Sequence, residues 1–147
     1  MSYWDTSALI KRYTEEPDSA AFMELGAALL PLHTSRLAEY ELHTTLRRKE
    51  ADGVIAPGAA ESAILEFQGD VVLGIIILHE EGPALRKKFA KVLADCFSAT
   101  PIAFVRAADA IHIATALAAG ETEFVTADTR QKRAAETCGL TVQPSQR

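Results

Sequence analysis

Four acidic residues stand in four short, largely apolar settings spread along the chain: Asp5 in YWDTSALI, Glu41 in LAEYEL, Asp109 in AADAIHIA and Asp128 in EFVTADTR. Asp5 and Asp128 each close a strand-like apolar run, whereas Glu41 and Asp109 lie in runs with helical spacing. The carboxyl ends of strands in an open α/β sheet are where such folds gather ligands. Carboxylates brought together there repel, and two about 4 Å apart cost roughly 4 kcal/mol at an effective dielectric near 20. A fold that collects several of them needs protons or a hard divalent cation to offset that repulsion. The pattern predicts a metal site.

Each acid also has a local explanation. Asp5 precedes two hydroxyls, Thr6 and Ser7, and Asp serves as a helix N-cap as readily as a ligand. Glu41 borders an apolar helix stripe marked by Leu42 and Leu46, where a glutamate is often only solvated; its rival Glu39 projects roughly 200° away around the helix. Asp109 sits among Ala107, Ala108, Ala110 and Ile111, and capping is its alternative. His112, one turn on, reads as a hydrogen-bonded core histidine rather than a ligand. Asp128 follows Phe124-Val125-Thr126, with Thr126 able to hydrogen-bond it, and it too suits a helix cap. Each alternative explains one position, and none predicts that all four belong to one arrangement.

The elements that must position these acids alternate. Tyr3-Trp4 is a first strand ending at Asp5, and Thr6 or Ser7 caps the helix after it. Pro17 marks the start of a second helix reaching about Leu25. Leu29 to Thr34 reads as a strand, and Ser35 caps a helix that stops at Asp52-Gly53. Ala56-Pro57-Gly58 opens a helix ending near Gly69. Val71 to Leu78 reads as the strongest strand, a β-branched run suited to a sheet covered on both faces. Pro83 starts a long amphipathic helix, Pro101 to Val105 is an extended link, and Asp109 lies early in a helix stopped by Gly120. Glu123 to Thr126 is a strand delivering Asp128, a last helix ends at Gly139, and Leu140 to Val142 is an edge strand. The alternation predicts an α/β sandwich around a mostly parallel sheet, over a single domain spanning 1–147.

Bulk properties narrow the classes. At 147 residues, 48% hydrophobic and 24% charged, the chain suits an ordered globular protein rather than a disordered one. No apolar run approaches the roughly 18 residues of a membrane helix, and no secretory signal is visible, so a cytoplasmic protein off the membrane is expected. Its two cysteines, Cys96 and Cys138, lack metal spacing and read as buried reduced thiols. A net charge of −5 gives no overall basic footprint. Basic residues cluster, however, at Lys11-Arg12, Arg47-Arg48-Lys49, Arg86-Lys87-Lys88 with Lys91, and Arg130 with Lys132-Arg133. Three of these clusters follow a candidate acid, which suits a phosphate backbone crossing an acidic centre.

The segments WDTSALIKRY, TSRLAEYELHTTLRRKEADG, RAADAIHIATALAAG and FVTADTR, in this order and spacing, resemble the PIN-domain ribonucleases. More narrowly they resemble the VapC-type toxins of toxin–antitoxin modules, from Trp4 to Pro144. The resemblance implies a PIN-like three-layer sandwich and an acidic Mg²⁺ or Mn²⁺ pocket at the strand ends. The pocket acids carried over are Asp5, Glu41, Asp109 and Asp128, supported by Thr6, Ser7 and Thr126. Asp5 and Asp109 are expected as the main metal ligands. Ala108 stands where the family's pattern often has a bulkier apolar residue. The implied activity is cleavage of RNA phosphodiesters by a water activated at the metal, with a cognate antitoxin as partner and a homodimer as the assembly.

Other readings differ in class. A PIN-type nuclease of RNA processing would share the site without the toxin role. A phosphohydrolase with Asp5 as nucleophile wants a second Asp where Ser7 stands, and a phosphoryl-accepting receiver wants adjacent acids after its first strand, which are absent. A non-catalytic partner-binding domain has no need of an intact set of acids.

Overall fold

The computed structural model describes residues 2–145. Five short strands, β1 (Ser2–Trp4), β2 (Leu32–Ser35), β3 (Ile76–His79), β4 (Glu123–Val125) and β5 (Thr141–Gln143), form one sheet in the order β3-β2-β1-β4-β5. Every pairing is parallel, with Tyr3 opposite His33 on one side and Phe124 on the other. Parallel neighbours need crossovers, and helices supply them: α1 (Thr6–Leu9), α2 (Ser19–Ala28), α3 (Arg36–Ala51), α4 (Ala59–Val72), α5 (Pro83–Ser98), α6 (Ala107–Ala118) and α7 (Thr129–Thr137). A 3₁₀ turn over Ile10–Arg12 extends α1.

Side chains alternate across a strand, so β1 divides the interior in two. Trp4 joins Leu32, Ile76 and Val125 beneath α1 to α4, with Leu42, Leu46 and Phe67 from the helices. Tyr3 joins Phe124 and Val142 on the opposite face, packed against Val92 of α5 and Ile113 of α6. The Tyr3 and Phe124 rings stack 5.4 Å apart. Each fully buried aliphatic or phenyl side chain contributes about 1.5–3 kcal/mol, so β1 is held from both faces at the point where Asp5 leaves it.

Several expected boundaries move, each for a local reason. Asp5 itself, not Thr6 or Ser7, caps α1 by accepting the Ala8 N–H at 3.1 Å. The second helix starts at Ser19, two residues after Pro17, and reaches Ala28; β2 accordingly begins at Leu32 instead of Leu29. The largest correction is Val71 to Leu78. Val71 and Val72 end α4, Gly74 turns the chain at φ +75°, and only Ile76–His79 is strand. Ala60, Ile64 and Phe67, with the partly buried Val71, keep a helical spacing against the core, and that packing extends the helix through the β-branched residues. β3 is also an edge strand with Ile77 exposed, not one covered on both faces.

Cys96 is buried and Cys138 half-buried, both as free thiols with sulfurs 3.8 Å apart. Burial pushes both thiols up, Cys138 to about 12, which makes them poor nucleophiles. Among the described residues no helix is long and apolar enough to cross a membrane.

Candidate active site

The carboxyl ends of β1 and β4 lie side by side, because Tyr3 pairs with Phe124 and Trp4 with Val125. Asp5 therefore leaves the sheet next to Thr126, and Asp128 follows two residues later. The Ser35 hydroxyl caps α3 by accepting the Leu37 N–H at 3.0 Å, which aims the next turn of that helix, with Glu41, over the same edge. Asp109 comes from the first turn of α6. The four acids and Thr6, Ser7, Thr45 and His112 line one cavity of about 200 Å³. Glu39, by contrast, faces away and pairs with Arg36 at 2.7 Å.

Asp5 is nearly sealed and fully bonded. Ser7 Oγ donates to its Oδ1 at 2.7 Å and Thr126 Oγ1 to its Oδ2 at 2.5 Å, besides the Ala8 N–H. Ser7 Oγ in turn accepts the Ala127 N–H at 3.0 Å, and Thr126 Oγ1 accepts the Asp128 N–H at 3.1 Å. Two hydroxyls thus stitch the ends of β1 and β4 together through one carboxylate. Burial pushes the Asp5 carboxyl above the usual carboxylate range, and the hydrogen bonds offset part of that rise.

Glu41 is held differently. Thr6 Oγ1 donates to its Oε1 at 2.8 Å, and His112 Nε2 lies 2.6 Å from the same oxygen. On its other side His112 Nδ1 is 2.7 Å from the Tyr3 hydroxyl. Tyr3 is wholly buried, and burial followed by the charge of Asp5 pushes its phenol far above the ordinary value, so the hydroxyl stays protonated. His112 thus bridges the Tyr3 hydroxyl and the Glu41 carboxylate, which accepts from Nε2. Although burial opposes it, the His112 contact holds the Glu41 carboxyl below the usual range.

Asp109 and Asp128 complete the rim. Asp128 caps α7 with its Oδ1, accepting the Arg130 N–H at 2.8 Å and the Gln131 N–H at 3.4 Å. Asp109 caps nothing: the N-cap position of α6 is Arg106, and no hydrogen bond to the Asp109 side chain occurs among the described residues. Burial, then the charges of Asp128 and Glu41, push its carboxyl up. Capping and a place in the cavity are therefore compatible at Asp5 and Asp128, while the cap explanation fails at Asp109.

The donor set suits a hard cation in kind, being four carboxylates with flanking hydroxyls around one opening. Among the described residues, however, no three His, Cys, Asp or Glu side chains converge closely enough to hold a metal ion directly. Mg²⁺ keeps several waters and takes few direct carboxylate bonds, so a cavity ringed by carboxylates is consistent with its coordination habits.

Several members of the basic clusters are paired with acids of the chain. Lys11 pairs with Glu16 and Asp18, Lys49 with Glu16, Arg47 with Glu61, and Lys132 lies 3.9 Å from Glu136. Arg12 packs inward: a Cβ placed on Gly26 would meet its Nη1 at 2.2 Å, so that glycine makes room for the guanidinium. Tyr3 and Thr45 are site residues absent from the sequence reading. Thr45 had a signal, one helical turn beyond Glu41; Tyr3 had none beyond lying two residues before Asp5.

The PIN domain family model matches residues 2–137. Ribonuclease VapC35 of Mycobacterium tuberculosis is 32% identical over 148 residues, covering 97% of this chain and 95% of its own. Among solved structures, FitAcB from Neisseria gonorrhoeae superposes with a TM-score of 0.69 at 17% identity, over 97% of this chain and 96% of its own. The sarcin-ricin loop cleaving toxin VapC20 of Mycobacterium tuberculosis gives 0.66 at 18% identity, over 91% and 95%. At such identities these two attest the fold.

Proposed function

This chain belongs to the PIN-domain family, and from that premise we propose that it is a metal-dependent endoribonuclease, the toxin of a type II toxin–antitoxin pair. One observation carries the reading: four carboxylates, distant in sequence, line a single open cavity at the strand ends, with the Asp109 carboxylate unbonded there. VapC35 is named a ribonuclease and VapC20 a toxin that cleaves the sarcin-ricin loop, which supports a ribonuclease activity here.

Asp5 and Asp109 would be the principal ligands of Mg²⁺ or Mn²⁺, with Asp128 and Glu41 binding a second ion or the waters around the first. Once bound, the ion supplies charge neutralisation at the scissile phosphate and activation of the attacking water. The chain's own groups fix the setting. Thr126 and Ser7 hold both Asp5 oxygens, so the carboxylate cannot swing. Thr6 and His112 both engage Glu41 Oε1, which leaves Oε2 to orient water or accept a proton. Asp109 keeps both oxygens available.

The antitoxin and the homodimer rest on the family resemblance. An acidic cavity of this kind fits a basic side chain presented by a partner peptide. The test is cleavage of mixed cellular RNA with and without Mg²⁺ or Mn²⁺, beside growth on induced expression. Metal-independent cleavage refutes the metal dependence, and no cleavage with either ion refutes the nuclease reading. Active enzyme that leaves growth unaffected refutes only the toxin role, and points to a PIN nuclease of RNA processing.

A further inference from the structure

A second hollow of about 200 Å³ adjoins the acidic cavity and shares Asp109 as a wall. Its other lining residues are Phe104, Val105, Arg106, Arg130 and Gln131. Phe104 is 73% exposed, an unusual state for a phenyl ring beside a cavity. Phe97 meets it at 90° with ring centroids 5.9 Å apart, which steadies the ring yet leaves most of its surface open. Arg133 donates to the carbonyls of Pro101 and Ile102, fastening the loop that carries the ring to α7.

The polar walls have unmet partners. Arg106 and Arg130 are exposed guanidiniums with no acidic partner within salt-bridge distance among the described residues, although the chain carries 20 acids against 15 basic residues. Gln131 is 2% exposed, and its Nε2 donates to the Asp109 carbonyl at 2.9 Å. Its Oε1 is buried and has no hydrogen-bond partner among the described residues, so it lies behind the wall of the hollow rather than on it. An open aromatic face beside two unpaired guanidiniums, in a hollow that adjoins the acids, matches one chemical class, a nucleotide: base for the ring and phosphates for the arginines.

We propose that the hollow bounded by Phe104, Arg106, Arg130 and Gln131 is a nucleotide subsite that seats an unpaired RNA base next to the scissile phosphate. The inference rests on the nuclease reading and adds to it where the strand runs, on the Asp109 side of the acids, and that the substrate there is single-stranded. A base in a duplex is stacked on its neighbours and cannot present its face to Phe104.

The test compares wild-type protein with Phe104→Trp, Phe104→Leu and Phe104→Ala, and with Arg106→Ala and Arg130→Ala. One fluorescent single-stranded oligoribonucleotide is cleaved with Mg²⁺ or Mn²⁺, and each variant's folding is verified by thermal melting. A stacking role predicts that kcat/KM falls roughly tenfold in Phe104→Ala and Phe104→Leu and stays close to wild type in Phe104→Trp. Each arginine variant should reduce the salt slope of apparent affinity by about 0.7. Activity kept in Phe104→Leu but lost in Phe104→Ala identifies an apolar docking face and overturns the subsite, as does a change in solution mass on replacing Phe104. Unchanged kinetics across the Phe104 series, with wild type cleaving normally, remove the subsite alone. A wild-type protein that neither binds nor cleaves RNA removes the nuclease reading and the subsite with it.

Discussion

Two buried polar networks lie on the same face of the sheet, and they are built to opposite ends. Tyr3, His112 and Glu41 form a directed chain of short hydrogen bonds, 2.7 Å and 2.6 Å, that finishes on a carboxylate at an open cavity. His33, His79 and Glu121 also place two rings and an acid together, with His33 Nδ1 2.7 Å from His79 Nε2 and His33 Nε2 3.6 Å from Glu121. That network reaches no carboxylate of the acidic cavity: the half-buried His79 borders a separate hollow, and at the other end His33 Nε2 is buried with no hydrogen-bond partner among the described residues. Buried histidines and carboxylates alone do not identify a site. What separates the two is that the first hands its order to an acid facing solvent at the strand ends.

The largest expected effect lies in the acids themselves. Asp5→Asn or Asp109→Asn should reduce RNA cleavage by more than about a hundredfold, since a bound ion supplies several kcal/mol of transition-state stabilisation. Stability of Asp5→Asn should stay within about 1 kcal/mol of wild type, because Asn caps a helix as well as Asp, while Asp109→Asn removes no cap and relieves repulsion. Glu121→Gln should leave cleavage within about twofold, because it touches only the second network. Equal losses of activity at Asp109 and Glu121 would erase the distinction.

Metal comes next. Saturating Mg²⁺ or Mn²⁺ at about a hundred times its dissociation constant should stabilise the protein by roughly 2.7 kcal/mol, read as a rise in melting temperature that chelator reverses. The rise should vanish in Asp109→Asn and survive in Glu121→Gln. An ion that stabilised both variants equally would be binding elsewhere.

A smaller effect tests the positioning chain. Tyr3→Phe removes the hydroxyl that holds His112 Nδ1, and groups that orient a metal-site residue typically cost about 10–100-fold when lost. We expect kcat to fall near the lower end of that range, with about 1–2 kcal/mol lost in thermal or urea unfolding. A stability loss without a kinetic one would make Tyr3 a core residue only.

The last prediction separates the networks by pH in metal-free protein. Burial, then the Asp128 charge, raises the Asp109 carboxyl, so its favourable contribution is present below the unfolded value near 3.9 and is lost as pH rises through the raised folded value. The stability gained in Asp109→Asn should therefore be greatest at neutral pH and fade on acidification. Burial, then His33, lowers the imidazole of His79. Its contribution is present above about 6.5 and lost as pH falls from there through the lowered folded value. Melting temperatures of wild type, Asp109→Asn and His79→Asn between pH 4 and 8 would show the opposite slopes, and parallel curves would refute them.

Alternating strands and helices, the acids at strand ends and the choice of Glu41 over Glu39 were legible from local pattern, since each depends on residues within a turn or two. The run Val71 to Leu78 was misread because β-branched residues suit a strand and a buried helix end alike. The deciding signal was upstream, in the helical spacing of Ala60, Ile64 and Phe67. The pairing of the basic residues was hidden for a related reason. Clustering along the chain says nothing of partners, and Arg47 and Lys11 turned out to be paired while Arg106, outside every cluster, was not.

By itself the sequence determined the parallel α/β class and singled out the four carboxylates that line one cavity, because periodicity and the ends of short apolar runs follow from backbone geometry. Only the tertiary structure decided how those acids are held. The Tyr3–His112 and Thr126–Asp5 bonds join residues 109 and 121 positions apart. No local rule places a hydroxyl 2.5 Å from a carboxylate across that separation; the register of β1 against β4 and the seating of α6 do.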